Sequence, residues 1–77
     1  MLDLNSGLVH KSYRVEDVSQ LDLSTERRLE SMGLIEGSTI CILNKKKHGA
    51  VIVKVRGIRL AVGQHIAQRI QVQEVTP

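Results

Sequence analysis

A chain of 77 residues has room for one domain, and 42% hydrophobic with 25% charged residues is the balance of a folded module rather than a disordered tail. A single cysteine, Cys41, excludes an internal disulfide, no charged-then-apolar leader opens the chain, and no apolar run approaches the ~20 residues of a bilayer span. The net charge of +3 is unevenly divided: residues 1–36 carry four bases against seven acids, and residues 37–73 carry seven bases and no acid.

The chain is therefore expected to be soluble and cytosolic, with a basic second half that speeds encounters with acidic partners. Phe and Trp are absent and Tyr13 is the one aromatic, so the core must come from nine Val, seven Ile and nine Leu. The β-branched share favours strands, where such side chains pack well on a pleated surface.

In chain order, Gly7 to Val18 reads as a strand, with Val9, Tyr13 and Val15 on one side and Lys11 interrupting it. Asp22 to Met32 reads as a short helix capped by Ser24, with Glu26 where the N-terminus favours negative charge. Leu29 and Met32 share its buried side. Gly33 ends it in a left-handed conformation, and Leu34 folds back on Leu29. Gly37 marks a turn. Ile40 and Ile42 then alternate with Cys41 and Leu43 as a second strand, and Asn44 to Gly49 forms a polar, basic turn.

Val51, Val53 and Val55 alternate with Ile52, Lys54 and Arg56 in the clearest strand of the chain. Gly57 breaks the run, Ile58 to Val62 resumes it, and Gly63 to Ala67 is long enough for a single helical turn. Ile70 and Val72 close with a last strand whose Gln71 and Gln73 face outward. The order is β, short α, then four β elements: a mostly β chain forming a small closed or half-closed barrel, with a helical insertion after the first strand. One domain spans residues 1–77, with its core over about 7–75.

Catalysis finds little support. His10, His48 and His65 have no spacing that brings them to Cys41 or a serine, and a thin aliphatic barrel leaves no room for the usual pocket of ~300 Å³ or more. The chain is expected not to be an enzyme and to need no cofactor. The histidines and Cys41 lack the short ligand spacings of structural zinc sites, so no metal residue is assigned; a transition-metal site between subunits of a homo-oligomer stays open. A nucleic-acid reading rests on the Lys45–Lys46–Lys47–His48 turn and the later bases. Small barrels that bind single strands stack bases on aromatic side chains, and the only aromatic lies outside the basic half.

The stretch Arg27-Arg28-Leu29-Glu30-Ser31-Met32-Gly33-Leu34-Ile35-Glu36-Gly37 resembles the signature of the FeoA family of ferrous-iron transport accessory proteins. Ile40 and Ile42, Val51 to Leu60, and Ala67-Gln68-Arg69-Ile70-Gln71-Val72 continue that resemblance over roughly Gly7 to Val75. The chain departs from the pattern in Glu36, where the family often has proline, and in a shorter Asn44–Gly49 loop.

The resemblance implies an SH3-like β-barrel and a cytoplasmic, non-enzymatic accessory role in ferrous iron uptake, through the cytosolic GTPase domain of the FeoB membrane transporter. It implies at most peripheral membrane association, through that partner, and no specific nucleic acid. Two alternatives are kept: a small basic nucleic-acid-binding barrel, and a free-standing relative of the SH3-like domain of DtxR-type metal-dependent repressors. The residues expected to touch an acidic partner are Lys45, Lys46, Lys47, Arg56 and Arg59.

Overall fold

The computed structural model describes residues 2–46 and 49–75. In chain order the elements are β1 (Leu2–Asp3), a 3-10 turn (Leu4–Ser6), β2 (Ser12–Asp17), α1 (Leu23–Ser31), β3 (Thr39–Lys45), β4 (Val51–Val55), β5 (Ile58–Val62), α2 (Gln64–Ala67) and β6 (Gln71–Glu74). The strands form one antiparallel sheet in the order β1-β6-β2-β3-β4-β5. It has the SH3-like architecture that the resemblance implies, but the sheet does not close into a barrel: β1 and β5 are left as its edges. Register shifts at Val15–Asp17 against β6 and at Ile42–Asn44 against β4 bend the long strands.

The core follows the period of the strands. Val51, Val53 and Val55 are each at most 1% exposed and face Ile40, Ile42, Val15 and Val72 in one aliphatic cluster, with Tyr13 as its single ring. α1 closes one mouth of it through Leu29, while Leu34 just beyond is buried as well and Met32 packs at the margin. Gly33 has φ +94°, and the Leu34 N–H donates to the Leu29 carbonyl at 3.0 Å, the paired closure expected of a glycine-terminated helix.

Three expectations need correction. The N-cap of α1 is Asp22 rather than Ser24: its carboxylate accepts from the Thr25 N–H at 3.1 Å and from the Thr25 hydroxyl at 2.7 Å. The first long strand starts at Ser12, because His10 takes φ +72° and turns the chain, leaving Val9 exposed in a loop. Residues 2–6, to which no element was assigned, belong to the core: Leu4 is fully buried, its N–H donates to Ile70 at 2.9 Å, and β1 pairs with β6.

Candidate functional site

Five residues of β4 separate the two groups of basic side chains read from the sequence. Lys45 pairs with Val51 at one end of β4, and Arg56 follows Val55 at the other, roughly 17 Å away at about 3.4 Å per residue. At the first end the Lys45 ammonium donates to the Asn5 carbonyl at 2.9 Å, so this lysine ties the hairpin to the 3-10 turn. Lys46 is exposed, its N–H donating to the Ala50 carbonyl at 2.9 Å. Lys47 lies outside the described residues.

At the other end Arg56 and Gly57 form a two-residue turn with φ 52° and 79°. Positive φ at both positions makes it the primed turn whose twist suits a hairpin. The Arg56 stem lies against the end of α1, where a Cβ on Gly33 would sit 3.0 Å from its Cδ. The turn sets the pairing that follows: Lys54 stands opposite Arg59, with Cys41 on the other side of Lys54 and Ser12 beyond it. The site thus gains Lys54, which was not among the residues expected to touch a partner. Counting back from Arg56-Gly57 pairs it with Arg59, and the Val51-Val53-Val55 alternation turns it outward.

The described ion pairs lie on or beside β2 and β6, separated from β5 by β3 and β4. Lys11 meets Glu74 at 3.0 Å and Arg14 meets Glu16 at 3.3 Å. The Glu74 carboxylate accepts a hydrogen bond from Lys11 and holds its ammonium above its ordinary pKa. Lys54, Arg56 and Arg59 are exposed and enter neither pair. Like charges directly opposite each other on neighbouring strands are destabilising, so Lys54–Arg59 is an unfavourable local pair that folding tolerates.

The surface hollows are clefts at the margins. One of about 270 Å³ lies between α1 and the following loop, with Glu26, Glu30 and Glu36 over Val18 and Leu34. Two others are a cleft of about 380 Å³ between the start of β2 and the end of β6, and one of about 430 Å³ along β1 and β6. Among the described residues no three His, Cys, Asp or Glu side chains are grouped to hold a metal ion, and no helix is long and apolar enough to cross a membrane.

An open antiparallel sheet of this order, with a helix inserted after the first long strand, is an SH3-like β module. The model of the FeoA domain matches residues 2–74. The chain belongs to the FeoA domain family. It is 26% identical over 74 residues, 95% of each chain, to a Helicobacter pylori (strain J99) protein provisionally named Fe(2+) transport protein A. A crystal structure described as an iron uptake regulatory protein (FeoA) matches at TM-score 0.86 and 28% identity, over 96% of this chain and 97% of that one. The solution structure of a FeoA protein from Chlorobium tepidum matches at TM-score 0.90 and 22% identity, over 97% and 71%. A manganese-dependent transcriptional repressor shares the fold over 96% of this chain and 41% of its own, at TM-score 0.86 and 21% identity.

Proposed function

We propose that this chain is a cytosolic, non-enzymatic accessory protein of ferrous iron uptake that docks on the GTPase domain of the FeoB transporter. The observation that carries the reading is the family match over residues 2–74. The charge distribution supports it: the acid-free stretch 37–73 leaves Lys46, Lys54, Arg56 and Arg59 exposed, a field that draws an acidic surface and shortens the search for it. SH3-like modules lend themselves to recognition of peptide or domain surfaces, an argument from fold analogy that adds weight without naming the contact.

Titration of the isotope-labelled chain with that GTPase domain and, separately, with a mixed single-stranded oligonucleotide, at about 150 mM salt, tests the reading. Amide shifts that saturate with the GTPase domain and gather on one face support it. Shifts with the oligonucleotide alone, confined to the Lys46 turn and the later arginines, replace it with the nucleic-acid alternative. Lys46→Glu together with Arg59→Glu is expected to slow association with the GTPase domain and to flatten its salt dependence. Lys46 serves better than Lys45, whose ammonium also holds the Asn5 carbonyl.

A further inference from the structure

The two edges of the sheet differ in what they offer. β1 is two residues long, whereas β5 runs for five and pairs on one side only, with β4. After the primed turn at Arg56-Gly57, Val55 and Ile58 form the hydrogen-bonded pair that closes the hairpin, and the pairs then alternate. Lys54–Arg59 and Ile52–Ala61 are therefore the non-hydrogen-bonded pairs. The backbone N–H and C=O groups of Arg59 and Ala61 point away from β4 into the open side, and among the described residues no turn, loop or cap reaches them. Such a row of unpaired groups is a template for another strand.

Its side chains say which strand. On the core side the edge begins with Ile58, 51% exposed because the sheet stops there, and continues with Leu60. On the outward side Arg59 and Lys54 stand directly opposite each other, and neither enters a described ion pair. A strand laid beside β5 would send alternate side chains to these two surfaces.

We propose that the β5 edge accepts an extended peptide segment as a seventh strand, in which acidic residues alternate with apolar ones. The acids relieve the repulsion of Lys54 and Arg59, the apolar residues cover Ile58, and the outward groups of Arg59 and Ala61 supply the ladder. A second copy of the chain is the wrong occupant, since pairing β5 with itself gathers two Lys54–Arg59 pairs on one face. The inference deepens the accessory reading by giving its contact a place and a shape.

The test uses the isotope-labelled full chain and two capped nonapeptides, one alternating Glu with Val and one alternating Lys with Val. In the free protein the Arg59 and Ala61 amides are expected to exchange with solvent faster than those of Ile58, Leu60 and Val62. The acidic peptide is expected to slow exchange at both by roughly ten-fold or more, with shifts centred on residues 58–62, while the lysine peptide leaves them unchanged. Raising the salt to about 150 mM weakens the effect. Ala61→Pro removes an N–H that faces away from β4, a position where an edge strand tolerates proline, and abolishes the protection. Arg59→Glu, which leaves the backbone intact, weakens the acidic peptide and admits the lysine one.

Unchanged exchange at Arg59 and Ala61 with the acidic peptide would overturn the proposal and leave the two cations as charges that merely keep the edge unpaired. An equal response to both peptides would overturn its acidic part. Protection that grows with protein concentration alone would put a second copy there instead. Since no transporter is present, this test and the GTPase titration fail independently.

Discussion

Tyr13, 2% exposed, does two things in an otherwise aliphatic core. Its ring fills the cluster, and its hydroxyl accepts the Leu8 N–H at 2.8 Å, holding the loop before β2 against the sheet. Tyr13→Phe is expected to lower stability by about 1 kcal/mol, read by urea denaturation, because the ring volume stays while the Leu8 N–H loses its partner. Gly7 beside it is required for space: a Cβ there would lie 2.5 Å from Ile42 Cδ1 and 3.0 Å from the Tyr13 ring. Gly7→Ala is expected to destabilise by about 1–3 kcal/mol through overpacking, seen as a lower thermal midpoint. At Lys54 the sign reverses. Lys54→Glu sets an acid opposite Arg59 and is expected to gain about 0.2–1 kcal/mol, while weakening capture of an acidic strand. A loss of stability in that variant would show that the two cations do not repel.

At the scale of the element, α1 depends on Asp22. The hydrogen bonds from Thr25 hold the Asp22 carboxyl below its ordinary pKa of 3.8, and Ser19 does the same for Asp17. A depressed folded value means that the stabilisation is fully present above pH 3.8 and is lost as pH falls through the lowered folded value. The denaturation midpoint of the wild type is expected to drop on acidification below that range, and Asp22→Asn, which keeps a capping oxygen, to flatten part of the drop. The Arg56-Gly57 turn carries a different tension, because Arg56 is held at φ 52°, a conformation asparagine adopts more readily. Arg56→Asn is expected to raise the thermal midpoint although it removes a charge.

The element scale is also where the sequence was most legible. Val51, Val53 and Val55 announce β4 because one buried face imposes a period of two, and Gly33 announces the helix end because few other residues take its φ. The cap was less so, since Asp22 and Ser24 are both capping residues and the choice depends on which of them stays extended. His10 gave no sign that it would turn the chain at positive φ, so the alternation of Val9 with Tyr13 and Val15 read as one strand. In the basic surface the cations were visible, but their division between the two ends of β4 and the Lys54–Arg59 pairing needed the register.

In the whole molecule, the first six residues show what a local pattern does not carry. A two-residue strand has no period, and Leu4 is buried because the segment from α2 to β6, far along the chain, comes back to meet the first residues. Leu4→Ala is expected to cost about 2–5 kcal/mol, the loss of a fully buried leucine, checked by chemical denaturation. That same meeting of β1 with β6 puts the two ends of the module side by side. Whatever is joined to either end then issues from one corner of the sheet, away from β5, and a longer polypeptide could carry the module as a side loop with its entry and exit adjacent. Joining the two ends by a short linker and opening the chain at the Lys46 hairpin would leave every β-ladder closed, so a circularly permuted version should fold to the same sheet.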